Sequence, residues 1–227
     1  MKLRISVFSL LLALFIGGSA YLVQEPGSQA VQDMASIDEC GYNEDIPEVE
    51  DYMRLITFGD PYMGNFDAGV TVVEYFDPNC PHCKTFHPIM KQVIADNEQH
   101  ARFFMIPFVL WQYSLAQAEA LFVAGQDGKY FEMLDAQYDN QKAGGMSLDE
   151  LVLLAEDIGL DPEVFRGRLE RGLNQRMIIA RRQEISDLGI GGTPTVMING
   201  RFISSDSKSR ECMNQLIAGV AIQSSGG

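Results

Sequence analysis

The sequence predicts an α/β protein in which a block of helices interrupts a mixed sheet. Two apolar segments, residues 70–76 and 101–110, flank a helix that begins with a CxxC motif, and this β-α-β order favours a parallel strand pair. Strand patterns then pause until residues 195–198, where Asn199-Gly200 is typical of a two-residue hairpin turn. The helices between these strands are therefore predicted to be an insertion into an α/β core.

Composition and charge limit the partners of the protein. The 227 residues are 46% hydrophobic and 21% charged, which are ordinary proportions for a globular protein with a real core. Seventeen Lys and Arg stand against 31 Asp and Glu, so the formal net charge is -14. Because such a charge repels phosphate backbones, we predict that nucleic acid is not a partner.

The N-terminus predicts the compartment. Lys2 and Arg4 precede an apolar run at residues 7–16, and small residues follow at Gly18 and Ala20, which is the pattern of an export signal. Tyr21, Leu22 and Val23 lengthen the apolar stretch towards the roughly 20 residues that span a bilayer. Residues 1–23 are thus predicted to be either a cleaved signal peptide or an N-terminal membrane anchor. Either one places the protein in the periplasm or another extracytoplasmic space, in the second case anchored to the inner membrane.

Residues 24–54 are predicted to be an acidic tether. Between residues 24 and 51 the chain is polar and has no Lys or Arg, while it carries Asp38, Glu39, Glu44, Asp45, Glu48, Glu50 and Asp51. Charge runs usually face solvent, so a solvated linker is the simplest interpretation, and an acidic docking strip is the alternative.

The helices follow from their caps and apolar spacing. The CxxC helix is expected to run to about Asp96, since the turn residues Asp77-Pro78-Asn79 precede it and Pro81 suits a first helical position. Helices are predicted at 116–124 and 129–138, then after the capping box Ser147-x-x-Glu150 and after Asp161-Pro162. A last amphipathic helix places Met213, Leu216, Ile217 and Val220 on one stripe, which should cover one face of the sheet.

The CxxC motif, Cys80-Pro81-His82-Cys83, is the candidate reactive site. A helix start brings both thiols to one end, with the first expected to be the exposed one, and its free N–H groups and dipole stabilise the Cys80 thiolate. His82 is a second candidate stabiliser. The alternatives are a zinc half-site and an inert structural disulfide. A structural zinc site needs four ligands and the other cysteines and histidines lack partner spacing, so we predict no metal.

Three segments together resemble the DsbA-like thiol:disulfide oxidoreductases of the thioredoxin superfamily. They are Val72-Val73-Glu74-Tyr75-Phe76, the CxxC motif with its Pro-His dipeptide, and Gly192-Thr193-Pro194-Thr195. The resemblance runs from about residue 58 to 220 and implies a thioredoxin-like fold built from residues 55–113 and 190–227, with an inserted helical domain at 114–189. It departs from the family at Phe66 and Gly69, where relatives often have prolines.

The resemblance also implies residue roles. Cys80 attacks or is attacked, Cys83 resolves the mixed disulfide, and Pro194 is a cis-proline that faces the active site. A cis bond there would turn the Thr193 backbone towards the sulfurs, where it can bond an extended substrate strand.

A catalytic role for Glu74 is predicted from its position on a central strand, independently of the resemblance. A carboxyl group on a central strand is desolvated, so its pKa rises towards neutrality and it can exchange a proton with Cys83 through water. The alternative is a solvent-facing carboxylate at the strand end, because Asp77 follows closely. A group of large side chains either lines a peptide groove or packs in the core, namely Met105, Phe108, Trp111, Tyr113 and Met197.

The remaining cysteines, Cys40 and Cys212, are predicted to form a structural disulfide, since exported proteins rarely leave two thiols free. Free thiols and pairing between molecules are the alternatives.

The function implied by the resemblance is disulfide donation to folding exported proteins that have free thiols. No cofactor beyond the dithiol is expected, and a membrane quinone-linked thiol oxidase is the expected recycling partner. The alternatives are an isomerase or reductase of the same superfamily, and a redox-inactive peptide-binding chaperone on a thioredoxin fold.

Overall fold

A computed structural model describes residues 40–225, with side chains to residue 222. The predicted export signal and residues 24–39 of the predicted tether lie outside the described residues. The described chain forms a five-stranded sheet in the order β1-β3-β2-β4-β5. The strands are β1 (Tyr62–Gly64), β2 (Val70–Phe76), β3 (Ala101–Pro107), β4 (Thr195–Ile198) and β5 (Arg201–Phe202). Within residues 40–225 no helix is both long and apolar enough to cross a bilayer.

The strand pairing confirms the predicted β-α-β unit. β2 and β3 are parallel, with Val70 opposite Ala101 and Phe76 opposite Pro107, while the other pairs are antiparallel. β3 ends at Pro107, three residues before its predicted end, because the following backbone turns away from the ladder. The amide of Leu110 donates to the Asp77 carboxylate at 2.6 Å instead of pairing with a strand.

Seven α-helices surround the sheet in the described residues. They are α1 (Pro81–Asn97), α2 (Ser114–Gly125), α3 (Tyr130–Asp139), α4 (Leu148–Asp157), α5 (Pro162–Arg171), α6 (Gln175–Asp187) and α7 (Arg210–Ser225). Helix α6 was not predicted, since its buried side chains are Ile178, Ile185 and the charged Arg181, which is too sparse an apolar stripe. The thioredoxin-like fold with a helical insertion is confirmed.

Two apolar clusters place the CxxC motif between the sheet and the insertion. All seven residues of β2 are buried, as expected for a central strand. Met213 and Ile217 of α7 pack with α1 against one face of the sheet, which confirms the role predicted for the last helix. Phe76, Cys80 and Cys83 instead belong to the cluster formed by the inserted helices. The reactive motif therefore has the insertion as one of its walls.

The prediction of a solvated tether is wrong for residues 40–54. The amide of Asn43 donates to the Phe202 carbonyl at 2.7 Å and that of Val49 to the Gly200 carbonyl at 2.9 Å, so this segment is bonded to the β4–β5 hairpin. Ile46, Val49 and Tyr52, spaced between the acidic residues, pack onto a core cluster. These apolar side chains, rather than the charges, decide the position of the segment. Gly200 is required here, because a Cβ would lie 2.3 Å from the Val49 carbonyl oxygen.

Candidate active site

The CxxC motif lies at the turn between β2 and α1. Cys80 is the N-cap residue and Pro81 occupies the first turn, where a missing N–H removes no helical bond. Asp77 stabilises this turn, because its backbone carbonyl accepts a hydrogen bond from the Cys80 amide at 3.0 Å. The Asp77 carboxylate is buried and accepts from the amides of Asn79 and Leu110 at 2.7 and 2.6 Å. Burial raises the pKa of Asp77, and these hydrogen bonds oppose that rise.

Both thiols are free, and both are buried, which corrects the expectation that Cys80 is well exposed. Cys80 is 3% exposed and Cys83 is fully buried. The Thr193 carbonyl oxygen contacts the Cys80 Sγ at 3.5 Å. What distinguishes Cys80 from Cys83 is therefore its place at the helix end and its hydrogen bonds, not its exposure.

The two cysteines have opposite pKa shifts. A hydrogen bond from the Cys83 thiol lowers the pKa of Cys80 to about 5, against the opposing effect of burial. The Thr193 side chain and the backbone N–H groups of Cys83 and His82 also contribute to this lowering. Burial raises the pKa of Cys83, and the neighbouring Cys80 and Glu74 raise it more. At neutral pH this pair holds one thiolate, at Cys80, and one thiol, at Cys83.

His82 takes part in the site through its backbone. Its side chain is exposed beside the active site, whereas its N–H group is among the causes that lower the Cys80 pKa. Substitution of the imidazole leaves this N–H group in place.

Glu74 is a buried acid, not a strand-end carboxylate in solvent. It is 1% exposed, and in β2 it lies between Met105 of β3 and Val196 of β4. Both carboxyl oxygens lack a hydrogen-bond partner in the protein. Burial raises the pKa of Glu74 to about 8, although the positive charge of Lys208 opposes the rise. A carboxyl group that titrates close to neutrality beside a buried thiol can hold or accept a proton there.

The Thr193–Pro194 peptide bond is cis, as the resemblance implied. Beside it lies an open groove of about 400 Å³ lined by His82, Thr85, Phe86, Ile89, Thr193, Pro194 and Lys208. Its lining combines apolar side chains with one partly buried cation. The groove is connected to the reactive sulfur through Thr193, which belongs to its lining and whose carbonyl oxygen lies 3.5 Å from the Cys80 Sγ.

The large side chains considered for the groove separate into two groups. Met105, Phe108 and Met197 are at most 2% exposed and belong to the core. Trp111 and Tyr113 are 37% and 41% exposed, and their rings stack with centroids 5.7 Å apart. They lie after β3 and do not line the groove beside Pro194. Their use in substrate contact remains a prediction.

Two residues at the site were not singled out from the sequence. Gln141, in the loop after α3, donates through Nε2 to the carbonyls of Pro78 and Cys80, each at 3.1 Å. Lys208, before α7, donates through Nζ to the Pro194 carbonyl at 2.7 Å. Neither carries a local sequence signal, because each reaches the site from a distant loop.

The structure contains the predicted disulfide between Cys40 and Cys212, with Cα atoms 5.2 Å apart. It joins the N-terminal segment to α7 and is distinct from the CxxC pair. Pairing within the chain replaces the alternatives of free or intermolecular thiols for these two residues.

A mixed sheet with a CxxC motif at a helix start and a cis-proline beside it defines a dithiol protein of the thioredoxin superfamily. A family model, Thioredoxin_4, described as Thioredoxin, matches residues 57–218, and the chain belongs to this family. Its inserted helices and its similarity to a protein-disulfide oxidoreductase and to a DsbA crystal structure identify it as a DsbA-like member of that superfamily.

Similar proteins include proteins of disulfide chemistry and Na+/H+ antiporters. A putative protein-disulfide oxidoreductase of Rickettsia bellii is 26% identical, over 68% of this chain and 63% of its own. The thiol-disulfide exchange protein alpha-DsbA2 of Wolbachia pipientis is 26% identical in a crystal structure, with a TM-score of 0.63 over 76% of this chain and 91% of that one. The Na+/H+ antiporter NhaA 1 of Salinispora arenicola is 33% identical over 63% of this chain, and the match spans only 22% of the antiporter.

Proposed function

We propose that this protein is an exported thiol:disulfide oxidoreductase that oxidises the thiols of folding proteins in the cell envelope. The observation that carries the proposal is the asymmetry of the two cysteines. Hydrogen bonds and the helix start hold the pKa of Cys80 at about 5, so the reduced enzyme is stabilised as a thiolate. Stabilising the reduced form makes the Cys80–Cys83 disulfide easier to reduce, and therefore a stronger oxidant.

The reaction begins with the oxidised enzyme. A substrate thiolate attacks the Sγ of Cys80, a bond forms between these sulfurs, and the Cys80–Cys83 bond breaks. Cys83 leaves with the electron pair and takes a proton, for which buried Glu74 is the nearby acid. A second substrate thiolate then attacks the first substrate sulfur, and Cys80 leaves as a thiolate. Two electrons have moved from the substrate dithiol to the enzyme dithiol, with no cofactor beyond it.

The groove beside Pro194 supports an extended, partly unfolded substrate. Backbone groups of such a strand can bond the Thr193 backbone, while its side chains contact Phe86, Ile89 and Pro194. The net charge of -14 disfavours nucleic acid as a partner. The N-terminal sequence pattern favours exported proteins in the periplasm or a similar space as the substrates. A membrane quinone-linked thiol oxidase would return the dithiol to the disulfide.

The redox potential of the Cys80–Cys83 couple tests the direction of the reaction. Equilibration with glutathione buffers should place it above about -180 mV, among the oxidants of exported proteins. A value near about -270 mV, typical of thioredoxin, would favour the reductase alternative. Absence of any disulfide exchange with peptide thiols would instead favour the redox-inactive chaperone.

Trapping tests the separate roles of the cysteines. We expect Cys83→Ser to accumulate mixed disulfides with substrates, because Cys80 still reacts but no second thiol resolves the product. Cys80→Ser should form none and should have lost peptide oxidation. Mass spectrometry of non-reduced complexes reads both results, and the reverse pattern would exchange the two roles.

A further inference from the structure

Lys208 reaches the active site from a loop that follows the β4–β5 hairpin. Its side chain is partly buried, its Nζ donates to the Pro194 carbonyl at 2.7 Å, and it lines the groove that contains Thr193. The hydrogen bond fixes the ammonium group beside the proline, although two of its donors remain for other partners.

The Pro194 carbonyl that holds the ammonium group lies two residues before Val196, the partner of Glu74 between β2 and β4, so Lys208 is fixed near this buried acid. Glu74 is 1% exposed with both carboxyl oxygens unpartnered, and Cys83 is fully buried. Lys208 opposes the rise in the Glu74 pKa that burial causes. In return, Cys83 and Glu74 oppose the lowering of the Lys208 pKa by burial. The interaction is therefore mutual, and it is strongest when one of the acids is ionised.

Other titratable groups around these acids do not supply a positive charge. Burial lowers the pKa of His87, one turn beyond Cys83, and its ring bonds Asp135 at 2.6 Å, away from the strand. Burial raises the pKa values of Tyr130 and Tyr138, so both phenols stay neutral. The remaining groups that face the site are Cys80 on α1 and Asp77 after β2, neither of which is cationic.

The loop that carries Lys208 is held by the N-terminal segment. The Gly41 amide donates to the Ser207 Oγ at 2.7 Å, and the Ser204 amide donates to the Gly41 carbonyl at 3.0 Å. The neighbouring Cys40 is joined to Cys212 by the disulfide. A covalent link and two hydrogen bonds thus restrain the loop on both sides of Lys208.

We propose that Lys208 is a positioning residue for thiol–disulfide exchange, whose ammonium group stabilises the anion formed when a proton passes between Glu74 and Cys83. This rests on the proposed oxidoreductase activity, though not on its direction. During resolution of a mixed disulfide, the Cys83 proton goes to the Glu74 carboxylate and the Cys83 thiolate attacks the Cys80 sulfur. The Cys80–Cys83 bond forms, and the bound thiol leaves as a thiolate. The positive charge of Lys208 stabilises whichever of Glu74 and Cys83 is ionised at each stage of this transfer.

The test isolates the Cys83 step. Reduced enzyme is mixed with saturating oxidised glutathione, so that Cys80 forms a mixed disulfide quickly, and acid quenching with mass spectrometry follows its resolution across pH. Lys208→Gln retains an N–H donor for the Pro194 carbonyl but removes the charge. We expect its resolution step to be roughly tenfold slower at pH 7, with the midpoint of the pH profile raised by about one unit.

Two variants separate charge from structure. Lys208→Arg keeps the cation and should restore the wild-type midpoint. Lys84→Met removes an exposed cation beside Cys83 and should leave the midpoint unchanged. A profile of Lys208→Gln that superimposes on the wild type, or an equal shift in Lys208→Arg or Lys84→Met, would overturn the proposal. The glutathione experiment measures the Cys83 step whether the enzyme oxidises or reduces its substrates. A reducing potential of the wild-type Cys80–Cys83 couple would therefore contradict the proposed oxidation of substrates but not the proposed role of Lys208.

Discussion

At the scale of single residues, the reactivity of the site comes from one hydrogen-bonded pair of thiols. The Cys83 thiol is the largest cause that lowers the Cys80 pKa, and it does so only while it remains protonated. Burial keeps it protonated by raising its own pKa. The two shifts therefore have one origin, which is that a buried pair can hold a single negative charge but not two.

This leads to a prediction about which neighbour matters most for Cys80. Cys83→Ala should raise the Cys80 pKa from about 5 by roughly one unit or more, because it removes the thiol donor. We expect His82→Ala to raise it by less, since the alanine keeps the backbone N–H. Thiolate absorbance during pH titration of the reduced proteins measures both values. A larger rise in His82→Ala would show that the imidazole, not the thiol, controls the charge.

At the scale of elements, the inserted helices support the reactive turn directly. Gln141 follows α3 and bonds the carbonyls of Pro78 and Cys80, while Phe76 and Tyr138 pack edge to face with ring centroids 6.4 Å apart. The insertion therefore contributes to the geometry of the CxxC turn as well as to the wall of the site. On the opposite side, the N-terminal segment and its disulfide hold α7 and the loop before it.

The amide of Gln141 can be removed to test this support. Gln141→Leu leaves the buried Pro78 carbonyl without its donor and removes one of two donors to the Cys80 carbonyl, which still accepts from the Lys84 amide at 3.1 Å. The free energy of unfolding should therefore fall by about 1–3 kcal/mol. Asn140→Leu is a matched control, because that amide is exposed and bonds only the Ala136 carbonyl of its own helix. The control should change the free energy by at most about 0.5 kcal/mol in denaturant unfolding. Equal effects in both variants would mean that the bonds to the turn contribute nothing specific.

Removal of the Cys40–Cys212 disulfide should lower stability through the unfolded chain. The two cysteines are 172 positions apart, for which loop closure gives an upper value of about 5 kcal/mol. We expect the double variant Cys40→Ser, Cys212→Ser to lose about 2–5 kcal/mol in denaturant unfolding. Alkylation of the folded, non-reduced wild type should leave Cys40 unmodified. Labelling of Cys40 under those conditions would contradict the disulfide.

At the scale of the whole molecule, the buried acid makes stability depend on pH. The pKa of Glu74 is about 8 in the folded protein, against an ordinary value of 4.5. Between these two pH values the folded state holds a proton that the unfolded state has released, so this contribution to the free energy of unfolding falls as pH rises. The lowered pKa of Cys80 has the opposite effect on the reduced protein. Its contribution to the free energy of unfolding is complete above pH 9.0, the ordinary pKa of a cysteine, and is lost as the pH falls through about 5.

Comparison of Glu74→Gln with the wild type isolates the first effect. The glutamine does not ionise, so the difference in unfolding free energy between the variant and the wild type should grow in favour of the variant from pH 5 to pH 8. The limiting slope is about 1.4 kcal/mol per pH unit, and it declines as the pH approaches the folded pKa of about 8. Denaturant unfolding of the reduced proteins at several pH values measures it. A difference that stays constant with pH would place the carboxyl group in solvent.

The amino-acid sequence by itself determined the fold class, the CxxC turn and the chain order of the site. These have local signals: alternating or continuous apolar runs, a proline at the helix start, and the Asn-Gly turn. The short strand β1 and the helix α6, which has few apolar side chains on its buried face, lack such signals, and the sequence did not predict them.

Only the tertiary structure decided the depth and the electrostatics of the site. The carbonyl of Thr193 contacts the Cys80 sulfur, Gln141 donates to carbonyls of the CxxC turn, and Lys208 donates to the Pro194 carbonyl. Each of these contacts joins residues that belong to different elements, and charged or amide side chains show no periodicity that would reveal a distant partner. The acidic residues at 40–54 show the same limit, because a charge run predicts solvent exposure while a few interspersed apolar side chains and one disulfide position the backbone. Burial, which sets the pKa values here, is a property of the packed molecule and not of the residue.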